Sequence, residues 1–288
     1  MNEEMREAQL KELLTLSYWK QLTPVEQEET ALALAARLPE PFRFTGLETY
    51  ALGQQCHRVA SFTYKEAHFA LIPGGPATLG YAPGSFRPTA AHRESWEETL
   101  RRYPAYPDLE THLTQRLTPL RQVLFKPFLL EVIAIELSHV IIENGRRIYR
   151  YPGPRISYPQ AQERIAQDGF RFPTSDEWEY ACAAEARTLW RWGNEISMIL
   201  VPSRRNLPEW DLHLRPNAFE LLIGDAPAHW EFTAEEGVMR GGDGGTASRA
   251  GQGRLVEWLI LAPAYWKQLN PRLRVPRVYI RRMYSLFQ

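Results

Sequence analysis

The chain has 288 residues, 44% of them hydrophobic and 24% charged, a globular composition that excludes a mainly disordered protein. Lys and Arg together number 34 and so do Asp and Glu, so no net field draws the protein to nucleic acid or to an anionic membrane. The longest apolar run, residues 128–135, is broken by Glu131 and too short to span a bilayer, and the acidic start Met1-Asn2-Glu3-Glu4 is unlike a secretion signal. A cytoplasmic protein with no membrane or nucleic-acid partner is expected. Cys56 and Cys182 are then reduced thiols, and two cysteines cannot build a Cys-rich zinc site.

The predicted elements begin with a helix over residues 3–16, where Met5, Leu10, Leu13 and Leu14 form a rough stripe. Thr23-Pro24-Val25-Glu26 reads as a helix start, with a capping Thr, Pro at the first helical position and Glu three residues after the cap. That helix should stop before Pro39-Glu40-Pro41. Residues 1–43 are thus expected to form a helical segment packed on a main domain of residues 44–288. Residues 50–62 read as two strands about a turn near Gly53. Residues 68–75 form a strand entering a Pro-Gly turn, continued outward by 77–80. Residues 81–119 are polar and Pro-rich, partly helical around 96–103, and read as an insertion. Residues 123–130 are expected to form one strand, leading into 131–142.

Ser157 opens another helix, which runs through Ile165 and is ended by Gly169. Thr174-Ser175-Asp176-Glu177 is a second capping box, starting a helix with Trp178, Cys182 and Ala186 along one side. Beyond Trp192-Gly193-Asn194 the chain is irregular, with short strands near 238–240 and 277–280. No repeat of fixed period is present.

Several stretches together resemble one family. Phe69-Ala70-Leu71-Ile72-Pro73-Gly74-Gly75 followed by Thr78-Leu79-Gly80 is similar to its opening strand, and Pro127-Phe128-Leu129-Leu130-Glu131 to the strand after it. Phe170-Arg171-Phe172-Pro173-Thr174-Ser175-Asp176-Glu177-Trp178-Glu179-Tyr180-Ala181 and Trp190-Arg191-Trp192-Gly193-Asn194-Glu195 follow in order. Then come Pro216-Asn217-Ala218-Phe219, His229-Trp230-Glu231-Phe232 and Val238-Met239-Arg240-Gly241-Gly242. These markers resemble the formylglycine-generating-enzyme-like, or sulfatase-modifying-factor, family over about residues 68–285. The resemblance implies an α+β, C-type-lectin-like fold that is rich in loops.

The resemblance also implies chemistry that can be checked against the residues. Formylglycine-generating enzymes oxidise a substrate cysteine with copper held by two thiolates close together in the C-terminal part, and soft thiolates suit Cu(I). No cysteine follows Cys182 here. A related branch binds non-haem iron through closely spaced histidines on an N-terminal bundle, but His57, His68, His92, His112, His139, His213 and His229 do not have that spacing. Where relatives use Asn in a structural calcium site, Ala228 stands here. Glu231 remains, so no cofactor is expected beyond a doubtful calcium. Cys56-His57 cannot be a nucleophile–base pair within a strand, since neighbours point to opposite faces. Gly251-Gln252-Gly253-Arg254 lacks the context of a phosphate loop. Arg272, Arg274, Arg277, Arg281 and Arg282 form a basic run that a solvated or acid-paired surface explains.

The expectation is a non-catalytic recognition module with a peptide or protein partner, its ligand-binding face formed by Asn217, His229, Glu231, Arg240 and Asp243. The alternatives are a metal-dependent oxidoreductase with a rebuilt site and a formylglycine-generating enzyme with unusual ligands.

Overall fold

Thr23 caps its helix as its spacing predicts: its hydroxyl accepts from the Glu26 amide while the Glu26 carboxylate accepts from the Thr23 amide. The structure, a computed structural model, describes residues 3–136, 140–143, 146–149, 157–196, 211–223, 229–243, 247, 250–269 and 279–287. Helices α1 (Glu3–Leu13), α2 (Leu16–Trp19) and α3 (Pro24–Ala35) form the N-terminal segment. It is fused to the main sheet. Leu14, Trp19, Ala31 and Leu34 share one apolar core with Phe42, Phe62, Phe69 and Phe170. The Leu16 amide donates to the Gly74 carbonyl at 2.8 Å, and the Gly74 amide donates to the Leu14 carbonyl at 3.0 Å.

The strands in chain order are β1 (Phe42–Leu52), β2 (Gln55–Tyr64), β3 (Ala67–Ile72), β4 (Gly75–Leu79), β5 (Arg121–Phe125), β6 (Phe128–Glu131), β7 (Ile135–Glu136), β8 (Val140–Glu143) and β9 (Arg146–Tyr149). They are followed by β10 (Glu231–Phe232), β11 (Val238–Arg240), β12 (Lys267–Gln268), β13 (Tyr279–Ile280) and β14 (Met283–Ser285). The main sheet has the order β1-β2-β3-β6-β14 and is antiparallel throughout. A second five-stranded sheet has the order β12-β11-β10-β13-β7, with β10 and β13 parallel. β4 pairs with β5, and β8 with β9.

The single strand expected over 123–130 is two strands in two sheets. Pro127 has no N–H to give a ladder. The backbone of Gly74 also crosses so close there that an added Cβ would lie 2.6 Å from the Phe125 carbonyl oxygen and 2.7 Å from the Pro127 nitrogen. β5 therefore pairs with β4, and β6 pairs with β3.

Residues 81–119 are more helical than expected, holding α4 (Ala90–Arg102) and α5 (Leu109–Arg116). After them come α6 (Tyr158–Ala166), α7 (Ser175–Ala183) and α8 (Arg254–Leu259). Trp96, Leu113, Trp190, Trp192, Leu255 and Trp258 join α4, α5 and α8 in a second core. A third lies under α7, where Tyr180 stacks on Phe125 at 4.5 Å. The architecture is mixed α+β with several antiparallel sheets. No helix among the described residues is long and apolar enough to cross a membrane. Ala228, His139, Gly244 and Gly245, and Arg272, Arg274 and Arg277 of the basic run, lie outside the described residues.

Candidate functional site

Helix α7 organises the centre of the molecule. Thr174 and Glu177 form its capping box, and Arg171 clasps the Glu177 carboxylate through two nitrogens at 2.7 and 2.8 Å. Its inner face presents Trp178 and Glu179, both buried.

Three residues of the expected ligand-binding face fasten this helix. Glu231 accepts the indole N–H of Trp178 at 2.8 Å and is clasped by Arg281 Nε and Nη2 at 3.0 and 2.9 Å. Arg240, its cross-strand partner in β11, donates to the Ser175 hydroxyl and, at 2.9 Å, to the Glu179 carboxylate. Asn217 sits at the other end of α7. Its amide N–H groups donate to the Ala181 and Cys182 carbonyls, and its Oδ1 accepts from the Phe219 and Leu221 amides. Asp243 is buried and accepts from the Ala247 amide at 2.8 Å. His229 is partly exposed and stacks on Tyr279 at 3.9 Å. The structure thus brings Glu231 and Arg240 side by side, with Asn217 apart. Four of the five expected residues lie inside the fold with their polar heads engaged by their own chain.

Other polar candidates are equally occupied. Glu220 accepts the Tyr50 hydroxyl at 2.9 Å and the Ser61 hydroxyl at 2.7 Å, and its carboxylate lies 3.0 Å from His68 Nε2. The carboxylate is central, so Ser61 and His68 both meet it and neither activates the other, unlike a nucleophile–base–acid relay. Burial pushes Glu220 up, but hydrogen bonds from His68 and Ser61 outweigh it and hold the carboxyl below its usual range. The same contact raises His68.

Cys56 is exposed on β2, whereas its neighbour His57 turns inward against Phe219 and lies 3.1 Å from Glu185. Cys182 is wholly buried in α7, and desolvation pushes its thiol up to about 12. A buried thiol that holds its proton and an exposed one on another element make no thiolate pair, so these cysteines do not fit a two-thiolate copper site. Nor does the Glu231 carboxylate fit calcium, since a guanidinium already occupies it. Among the described residues, no group of three or more His, Cys, Asp or Glu side chains converges as a metal site.

A cavity of about 250 Å³ opens beside α7. β4 and the loop after it supply one wall, with Tyr81 and Phe86, and Leu117 and Leu189 close the others. Glu179 reaches it from α7, but its carboxylate already accepts from the Gly80 amide, the Thr118 hydroxyl, Arg121 and Arg240. Two of these donors are guanidinium groups, so the carboxylate is engaged by its own chain as a structural anchor. Tyr81 gives its hydroxyl to Glu110 at 3.0 Å; burial and that carboxylate raise its pKa to about 12. Thr78, Ser85, Arg187, Thr188 and Asn194 complete the polar part of the lining. Arg187 is exposed and donates to the Thr78 carbonyl, with no carboxylate partner among the described residues. Asn194 accepts the Leu189 amide at 2.7 Å through Oδ1, which leaves its NH₂ group for another partner. Such a site can hold a ligand by apolar contact and donated hydrogen bonds; it contains no activated nucleophile.

A wider groove of about 570 Å³ runs between β5 and the start of α7. Of its three carboxylates, Asp176 and Glu177 are matched by Arg121 and Arg171, and Glu235 accepts the Ser175 amide at 2.7 Å.

A scan against protein-family models finds no match, and a search of curated proteins finds none either. Among solved structures, the chain is similar to that of PvdO from Pseudomonas aeruginosa, with 14% sequence identity and a TM-score of 0.44. The likeness covers 83% of this chain and 98% of that one.

Sequence reasoning missed the cavity because it is built from separated segments: residues 78–86, Leu117, the end of α7 through Asn194, and Pro263-Ala264. The one local signal was Tyr81-Ala82-Pro83-Gly84, a turn directly after the Gly80 of a family-like motif.

Proposed function

We propose that the protein is a non-catalytic recognition module on a formylglycine-generating-enzyme-like, C-type-lectin-like scaffold, and that it binds a peptide or protein partner through the cavity beside α7. The observation that carries this reading is the contrast in how polar groups are used. Asn217, Glu231 and Arg240, which lie in the family-like motifs, hold α7 in place, whereas the cavity keeps apolar walls and unengaged donors at its rim. A cytoplasmic setting suits the two free thiols. No metal or organic cofactor has a part in this reading.

Random peptides displayed against the immobilised full-length chain test it, with Ala186→Trp as the blocked control. Ala186 lines the cavity and is only partly buried, so the larger ring should fill the space without unfolding the protein. Peptides that bind the native chain and lose at least tenfold in affinity for the variant are expected. Stoichiometric copper or iron in the purified protein, together with oxygen uptake on cysteine peptides, would overturn the reading in favour of an oxidase.

A further inference from the structure

We infer that the cavity takes the C-terminal residue of a peptide, its apolar side chain inside and its free carboxylate on Arg187. This deepens the recognition reading above and rests on it.

Size sets the first limit. A cavity of about 250 Å³ is smaller than the roughly 300–1,000 Å³ that encloses drug-sized ligands. It has room for one large side chain and not for a nucleotide or a flavin. Its lining sets the second. Tyr81, Phe86, Leu117 and Leu189 offer apolar surface to whatever enters, and the aromatic rings favour a flat or branched apolar group.

Charge sets the third. The one carboxylate in the lining, Glu179, is held by Arg121 at 2.8 Å and by Arg240 at 2.9 Å, so it neither repels an anion nor recruits a cation. Arg187 stands at the rim, tethered through Nη1 to the Thr78 carbonyl. The tether fixes part of the guanidinium and leaves its other N–H groups to a ligand. A guanidinium edge pairs with a carboxylate in two parallel hydrogen bonds. The Asn194 NH₂ group adds a neutral donor on the same lining.

The order of these features selects the ligand. An internal Asp or Glu, or a phosphorylated residue, carries its charge at the tip of the side chain and would push it against the apolar walls. A C-terminal residue carries its charge at the root, where the chain stops, and its side chain is free to be wholly apolar. Apolar body inside and carboxylate at the mouth is the polarity of this cavity. Capture of a terminal carboxylate is an established mode of peptide recognition in general. A free apolar carboxylic acid shares the chemistry, so the test must separate the two sources.

The full-length protein is incubated with mixed-sequence hexapeptides ending in Phe, Leu, Met or Trp. Each is prepared as the free acid and as the amide, and retention is read by mass spectrometry. The best acid, its amide and N-acetyl-phenylalanine are then titrated individually. The acid should bind at least about tenfold more tightly than its amide, the scale of losing one charge-assisted contact. Arg187→Gln should erase the difference between acid and amide, and Arg187→Lys should restore part of it. Arg187 is exposed, so both variants should keep the native thermal midpoint.

Amides binding the native protein as well as acids would overturn the inference and leave peptide recognition standing. So would Arg187→Gln retaining the full preference for acids. N-acetyl-phenylalanine binding as tightly as the hexapeptide would replace the peptide end by a small acid. Failure to bind any peptide, terminal or internal, would remove both readings together.

Discussion

The second β-sheet and the cavity both reach α7 and use the same kinds of residue in opposite ways. At the sheet, Arg281 meets Glu231, and Arg240 meets Glu179, whose carboxylate also reaches the cavity lining; both pairs are buried. At the cavity, Arg187 is open to solvent and donates to a backbone carbonyl, with no carboxylate partner among the described residues. A buried guanidinium with its carboxylate is fastening, because removing either leaves an uncompensated charge. An exposed guanidinium beside an apolar hollow is free to choose a partner. Here Asn217, Glu231 and Arg240 hold the frame, while residues 78–86 and Arg187 shape the opening.

The sharpest way to break this comparison is Glu231→Gln, which strands Arg281 in the interior. It should destabilise the protein by roughly 3–5 kcal/mol in urea melts. The double variant Glu231→Leu with Arg281→Met should recover much of that loss, because it removes both charges. A loss under about 1 kcal/mol from the single change would show that the pair does not fasten α7.

The next effect concerns the helices behind the cavity. Burial pushes His112 in α5 down to about 4. Its unfolded value is about 6.5, so between these values the unfolded chain binds a proton that the folded one does not. Stability should therefore fall as pH drops from about 6.5 to 4, by roughly 2–3 kcal/mol from this group. His112→Phe should remove that part of the slope, measured as the difference between two pH-resolved melting series.

Thr174→Ala removes the cap of α7 and should cost about 1 kcal/mol. The smallest stability change belongs to the cavity itself: Ala186→Trp should shift stability by no more than about 0.5 kcal/mol, because the ring enters open cavity space and displaces no packed core. Paired with loss of peptide binding, that near-silence would separate opening from frame most cleanly.

Much of the frame was legible in the sequence. Thr23, Ser157 and Thr174 each precede Glu or Gln by three residues, and each makes the full capping box. The start of α4 was not legible, because there the ring Nδ1 of His92 takes the place of a carboxylate in the Thr89 cap. α5 was missed as well: only His112 and Leu113 of its eight residues are buried, too few to mark a helical stripe. At Lys126-Pro127 an apolar run concealed a change of sheet, which depends on the close passage of Gly74, distant in sequence. The roles of Glu231 and Arg240 were illegible for a related reason. Their partners, Arg281 and Glu179, are 50 and 61 residues away, and no local pattern announces them.

The place of β14 has a consequence for biosynthesis. Met283–Ser285 completes an edge of the main sheet by pairing with β6, and Met283 also bridges to Arg171. Arg281, just before it, supplies the guanidinium for Glu231. A ribosome must therefore release residue 285 before the sheet can close and the Glu231 carboxylate can be neutralised. Until then β6 has only β3 beside it and Glu231 lacks its guanidinium, so closure of this edge waits on the strand of the sheet that is made last.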